Sequence, residues 1–332
     1  MAARAVIFGC GGTEVSAAER AFFAEAEPWG FILFARNVES PEQLRRLTAG
    51  LRDSVGRDAP VLVDQEGGRV QRLRPPHWRD WRPMLDEAAG LAPGVQARGL
   101  WLRARLMASE LRAVGIDVNC APVLDLAGAG THGVIRNRCL GGVPGDVARL
   151  GRAVAEGLLA GGVLPVVKHM PGQGRATLDS HLALPEVTAD RLELEDDFAP
   201  FRALADLPLA MTAHVVYRAL DVRPATQSPA VVGLMRDDIG FDGLLMTDDL
   251  SMKALAGGFG DRARASLAAG CDVVLHCNGD PGEMAAVAAV VPELTGRPAA
   301  RAAAALALRR APEDDAVALA AEYAALSPAG VA

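Results

Sequence analysis

Asp179 and His181 stand one residue apart in KHMPGQGRATLDSH, the glycine-rich segment that runs from Lys168 to His181 directly after the apolar run VLPVV. In an extended segment, residues i and i+2 point the same way, so the carboxylate reaches the imidazole, holds it in one tautomer and raises its proton affinity. That makes an acid/base dyad on a loop, and it needs a partner nucleophile. Asp248, at the end of a second apolar run, GLLMTD, is the best-placed carboxylate. Asp249 is the adjacent alternative and faces elsewhere.

Other ionisable residues gather at the same kind of place, the last residue of an apolar run or the turn after it. Asp64, Arg69 and Arg72 follow PVLVDQ, Asn119 and Asp125 lie in and after GIDVNCAP, Lys168 and His169 close VLPVVKH, and His214 closes LPLAMTAH. Such strand ends form the active-site rim of a barrel enzyme. Asp64, followed by Gly67 and Gly68, sits beside backbone that a ligand can approach closely. The competing reading for Asp64 is a solvated ion pair with a nearby Arg, and for Lys168 and His169 a buried, mutually satisfied pair. His77, His132, His214 and His276 are isolated and are assigned no chemistry.

Two other chemistries fit less well. A metal site could draw on Asp64, His169, His181 and Asp248, but a barrel amidohydrolase is expected to carry H-x-H on its first strand, which here reads VIFGC. PGQG and GCGGTE lack the spacing of either common phosphate-binding glycine loop, so nucleotide binding has no support.

The elements that must position these residues are legible as eight short apolar runs, at 4–10, 30–35, 60–65, 115–122, 163–169, 207–214, 243–248 and 271–276. They are rich in Val, Ile and Leu without strict alternation, as strands buried on both faces are. Helical segments separate them. SPEQLRRLTAGLRDS opens on a Ser N-cap, and GDVARLGRAVAEGLLAGG stops on glycines. Strand and helix alternating in this way predict an α/β fold, a single (β/α)8 barrel spanning residues 1–332 as one domain. A long insertion after the third strand, from Arg69 to about Ile116, holds PPHWRDWRP and an Ala/Leu/Arg-rich helix. The Ala-rich tail after Pro298 predicts closing helices.

Composition sets the outer limits. The chain has 332 residues, half of them hydrophobic, enough for a large core. A net charge of -7 without a basic run gives no reason to expect a nucleic-acid partner. Five scattered cysteines with no C-x-x-C pair argue against a disulfide framework or thiolate zinc site and fit a reducing compartment. The N-terminus, MAARAVIFGCGG, reads as a first strand rather than a secretory segment, and no run approaches the ~18 apolar residues of a membrane span. A cytoplasmic protein is the resulting expectation, with a monomer favoured over an oligomer.

Four segments together, GFILFARNV, VDQEGGRVQRLR, KHMPGQGRATLDSHLALP and LLMTDDLSM, resemble the glycoside hydrolase family 3 β-N-acetylglucosaminidases of the cytosolic peptidoglycan-recycling type. The likeness runs from about residue 6 to about 260, in order and spacing. It implies a retaining hydrolase that removes terminal, non-reducing GlcNAc, typically from GlcNAc-1,6-anhydro-MurNAc with or without a peptide. It also implies that Asp248 is the nucleophile and His181 the acid/base, oriented by Asp179. Asp64, Arg72, Lys168 and His169 match positions that hold the sugar, Arg138 matches a sugar-site Arg, and no metal or organic cofactor is implied.

The chain departs from the family pattern twice. Gln173 stands where the loop commonly has His in PGHG, and Arg136 and Leu140 replace Gly and Phe in I-G-x-R-x-F. The first change predicts altered loop contacts rather than lost chemistry. A His in place of a second carboxylate spares the covalent intermediate an anion–anion contact, and an imidazole that titrates near working pH suits both proton transfers. Two alternatives use the same barrel: a β-N-acetylglucosaminide phosphorylase, since a neutral His repels phosphate less than a carboxylate does, and a sugar-binding protein without catalysis.

Overall fold

All eight apolar runs form strands of one closed parallel barrel in the computed structural model, which describes residues 3–180, 182–312 and 316–326. The strands are β1 (Arg4–Gly9), β2 (Pro28–Leu33), β3 (Val61–Val63), β4 (Val118–Asn119), β5 (Leu164–Met170), β6 (Leu209–Thr212), β7 (Leu244–Asp249) and β8 (Val273–His276). Each pairs in parallel with its sequence neighbours, and β8 closes onto β1 with Ile7 opposite Leu275.

Two apolar clusters alternate along the strands. Ile7, Leu62, Val166, Met211, Met246 and Leu275 belong to the set that fills the barrel interior. Their neighbours Phe8, Val61, Val63, Val167, Ala210, Leu245 and Val274 pack outward with the helices, joining Leu44, Leu47, Leu51, Leu111 and Leu158. Period-two burial on both faces explains why the strands read as continuous apolar runs. Each fully buried Leu or Val stabilises the fold by roughly 1.5–3 kcal/mol.

The connecting helices follow the expected grammar. Pro41–Val55 starts where the Ser40 side chain accepts a hydrogen bond from the Gln43 amide. Pro144–Ala160 stops at Gly161. The insertion after β3 holds two helices, Met84–Gly90 and Gln96–Arg112, where the sequence reading named one; Pro93 and Gly94 break the chain between them. The tail does close the barrel. Its last helix, Ala316–Leu326, lies against the insertion, where Tyr323 Oη donates to Glu87 Oε1 at 2.6 Å and Arg98 pairs with Glu322.

One element was not legible in the sequence. Glu186–Val187 and Val216–Tyr217 form a short parallel ladder outside the barrel. It ties the segment after β5 to the segment after β6, and Tyr217 Oη donates to the Gly172 carbonyl at 2.7 Å. Two residues per strand are too few for periodicity to show. No helix of the described residues is long and apolar enough to cross a membrane.

Candidate active site

The strand C-termini open into one small cleft. Asp64, Arg69, Arg72, Arg138, Lys168, His169, Gln173, Ser180 and Asp248 line it, with Ile32, Phe34, Val70, Ile135 and Met252 as apolar wall. Residues far apart in the chain therefore share one rim, as the strand-end pattern predicted.

One side of the cleft is a continuous network of opposite charges. Lys168 Nζ lies 2.8 Å from Asp64 Oδ1 and 2.6 Å from Glu66 Oε1. Arg138 grips Glu66 with two hydrogen bonds of 2.8 Å. Arg72 pairs with the other Asp64 oxygen at 3.2 Å and stacks over the Phe34 ring. Burial by itself pushes the Asp64 carboxyl up, but Lys168 and then Arg72 outweigh it and hold the group well below the carboxylate range. Glu66 behaves alike: burial raises it, Arg138 and Lys168 lower it more, and it is brought down to about 2. Lys168 is held protonated by the same two carboxylates against its own burial. The network is fully ionised at neutral pH and presents fixed donors and acceptors.

Glu66 was missed by the sequence reading, although VDQEGG puts it two residues from Asp64, on the same side of an extended strand end. It is what secures Arg138 in the site despite the divergent residues around it. Its backbone is fixed from outside the rim: buried Arg103, on the insertion helix Gln96–Arg112, donates to the carbonyls of Glu66 and Arg82 at 2.8 and 2.7 Å. Gly67 follows at φ +107°, and a Cβ there would collide with Arg103 Nη2, so only glycine fits. Gln65 braces the same turn, its Oε1 accepting from the amides of Arg72 and Leu73.

The floor belongs to β5 and the segment after β4. Lys168 and His169 are joined by a cis peptide bond, and His169 Nδ1 lies 2.7 Å from Asp125 Oδ2. Its Nε2 faces Arg138 Nη2 at 3.4 Å. Arginine only donates and a carboxylate only accepts, so this pairing fixes the ring proton on Nδ1. Asp125 is fully buried; its Oδ1 also accepts from the Gln173 amide at 2.6 Å. At Gly174 a Cβ would collide with the Leu126 carbonyl oxygen, so the loop after β5 sits directly on the segment after β4.

That loop is the one expected to carry the dyad. Ser180 reaches the cleft, and Gln173 Nε2 donates to Ser180 Oγ at 3.3 Å. The Asp179 carbonyl accepts from Leu182 and Ala183, so the backbone turns here instead of running extended. Asp179 acts on Arg69 through charge: burial and Arg138 lower the Arg69 guanidinium, while Glu66 and Asp179 oppose them. His181 lies outside the described residues.

On the opposite side, Asp248 comes off the end of β7, its Oδ1 accepting from the Asp249 amide at 2.8 Å. Asp249 is used differently. Its Oδ1 accepts from the amides of Ser251 and Cys277 at 2.9 and 3.1 Å, and its Oδ2 from Ser251 Oγ, which makes it the brace of the turn. His214 completes the brace, with Nε2 3.0 Å from the Asp249 carbonyl and Nδ1 2.7 Å from Thr226 Oγ1. Burial lowers its basicity more than Asp248 raises it, so the imidazole stays neutral. No group of three or more His, Cys, Asp or Glu among the described residues could hold a metal ion.

A hydroxyl-rich ligand is what a small cleft with one ionised, hydrogen-bonding side and one carboxylate side would take. The family model of the glycosyl hydrolase family 3 N-terminal domain matches residues 8–308. The chain belongs to glycosyl hydrolase family 3. It is 43% identical over 284 residues to a β-hexosaminidase of Alkalilimnicola ehrlichii, covering 82% of this chain and 80% of that one. A β-hexosaminidase of Methylococcus capsulatus is 42% identical over 285 residues, 82% of each chain. Among solved structures, NagZ from Neisseria gonorrhoeae in complex with N-trifluoroacetyl-D-glucosamine superimposes with a TM-score of 0.89 at 32% identity, covering 99% of both chains. A family 3 β-N-acetylglucosaminidase from Paenibacillus gives a TM-score of 0.81 at 33% identity over 99% of this chain, which spans 63% of that longer one. The protein is thus a glycoside hydrolase of the β-hexosaminidase type on a single (β/α)8 barrel.

Proposed function

We propose that the protein is a retaining exo-β-N-acetylglucosaminidase that releases terminal, non-reducing GlcNAc from peptidoglycan fragments, GlcNAc-1,6-anhydro-MurNAc with or without peptide, in the cytoplasm. Residues 1–332 work as one catalytic domain in this reading. The observation that carries it is the facing of Asp248, on β7, by the ionised Asp64–Lys168–Glu66–Arg138 network across one small cleft. Named β-hexosaminidases at about 40% identity favour a hexosamine as the sugar released.

In the proposed mechanism Asp64, Arg72, Lys168, His169 and Arg138 hold the sugar, their fixed charges replacing the water that its hydroxyls lose. An Asp248 carboxylate oxygen attacks the anomeric carbon as the glycosidic C–O bond breaks, and His181, oriented by Asp179, gives its proton to the departing oxygen. Water then attacks the same carbon, the neutral His181 takes its proton, and Asp248 leaves. Two displacements retain the β configuration. In this reading the loop brings the pair in over bound substrate.

The test is release of 4-methylumbelliferone from its β-GlcNAc glycoside, in phosphate-free buffer, by the wild type and Asp248→Asn. Turnover by the wild type with a roughly 10⁴-fold loss of kcat in the variant is expected. A variant within tenfold of wild type removes Asp248 from the reaction.

A further inference from the structure

Gln173 stands where the family's glycine-rich loop commonly has His, and its side chain is turned inward rather than left at the surface. It is 1% exposed and lines the cleft. Its backbone amide donates to Asp125 Oδ1 at 2.6 Å, and the other Asp125 oxygen takes the His169 Nδ1 proton at 2.7 Å. Its side-chain Nε2 donates to Ser180 Oγ at 3.3 Å, while Oε1 finds no partner among the described residues. A buried carbonyl oxygen left unpaired is unfavourable, so this amide keeps one acceptor for a donor that arrives when the cleft is filled.

We propose that Gln173 is the positioning residue of the acid/base loop: its side-chain amide ties Ser180, the residue between Asp179 and His181, to the Asp125–His169 floor of the sugar site. The tie runs through one residue. Gln173 touches the floor with its backbone and the loop with its side chain, so a sugar that orders His169 also fixes the height of Ser180 above it. Ser180 is itself buried, and its hydroxyl has no role in the chemistry that would otherwise account for its place at the rim. An amide does not titrate, so the tie holds across the whole pH range in which the acid/base residue must change state twice.

This rests on the reading that the loop carries the acid/base pair, and the experiment separates the two. Gln173→Leu keeps side-chain bulk and removes both hydrogen-bonding atoms; Gln173→His restores a donor; Ser180→Ala removes the other end; His181→Ala is the reference. Each variant of the full chain, and the double variant combining Gln173→Leu with Ser180→Ala, would be assayed on an alkyl β-GlcNAc glycoside, whose leaving group needs a proton, and on the 2,4-dinitrophenyl glycoside, whose leaving group does not. Circular dichroism and the thermal midpoint establish that each is folded.

The expected result is a roughly tenfold loss of kcat/KM for Gln173→Leu on the alkyl glycoside, with KM changed less than about twofold and with kcat/KM for the dinitrophenyl glycoside, which reports only the first displacement, nearly unaffected. Ser180→Ala should lose a similar factor, the double variant should be no worse than either single change, and Gln173→His should recover most of the rate. If His181→Ala shows the leaving-group dependence and Gln173→Leu does not, or if the two losses multiply in the double variant, the positioning role is overturned. If His181→Ala lowers kcat/KM equally for both substrates, the acid/base reading fails, and coupling of Gln173 to Ser180 then decides the tie alone.

Discussion

The charges on the ionised side of the cleft are mutually dependent, and the first consequence belongs to single residues. Lys168 and Arg138 share Glu66, so Glu66→Gln leaves two buried cations with one carboxylate, Asp64, between them. Breaking a buried ion pair from one side costs about 3–5 kcal/mol. Urea unfolding of Glu66→Gln should show a loss of that order, whereas removal of an exposed helix-surface pair such as Arg45–Glu42 should leave the unfolding midpoint nearly unchanged. Asp64→Asn should keep the fold and raise KM more than it lowers kcat; an unchanged KM on the aryl glycoside would remove Asp64 from sugar binding. At this scale the sequence was legible wherever a residue type is rare in its setting: a Lys and a His closing an apolar strand, or a carboxylate at the tip of another. It was less legible where function and structure use the same side chain, as with Asp125, which the strand-end pattern put at the rim but which serves as the buried partner of His169. Glu66 escaped because an acid beside two glycines looks like a solvated turn until Arg138, 72 residues away in sequence, is seen to close on it.

Elements explain how such residues are held. The eight strands could be read because burial on both faces leaves continuous apolar runs, and the helices because Ser40 and Gly161 punctuate them. What the pattern did not reveal is that the insertion after β3 supports the site. Arg103 reaches from its second helix to the Glu66 carbonyl, and Gly67 leaves the room for it. Gly67→Ala should therefore affect activity and stability together, by several kcal/mol in unfolding, since both the φ of +107° and the contact with Arg103 oppose a side chain. Full stability in Gly67→Ala would mean that the turn has another low-energy form. The short ladder between Glu186–Val187 and Val216–Tyr217 is equally hidden from periodicity, yet with Tyr217 it pins the root of the loop after β5 at Gly172.

For the whole molecule the ionised network links folding to pH. Glu66 is held at about 2 against an ordinary 4.5, and Asp64 is depressed in the same direction. Groups with a lowered folded-state pKa contribute stability that is complete above their unfolded value and is lost as pH falls through the folded one. Stability should be level down to about pH 4.5 and decline from there toward pH 2, and Glu66→Gln should flatten that decline. Lys168, raised from 10.5, has the opposite sign: its contribution is complete below that pH and is lost only above it. Thermal midpoints measured between pH 2 and 7 check this, and a decline that begins near pH 6 would point to histidines in place of these carboxylates. The barrel as a whole was the most legible level, because strand count, strand order and rim position follow from one repeated pattern, whereas the contacts among loops follow from none.

The central claim is a covalent bond between the sugar and Asp248. It is tested most directly by incubating the protein with a slow mechanism-based substrate, 5-fluoro-GlcNAc carrying a good leaving group, and mapping the labelled peptide by mass spectrometry. The expected result is one adduct of the fluorosugar on the peptide containing GLLMTDDLSM, located to Asp248 and absent from Asp248→Asn. Turnover with inversion of configuration and no adduct, or an adduct on another carboxylate, would contradict it.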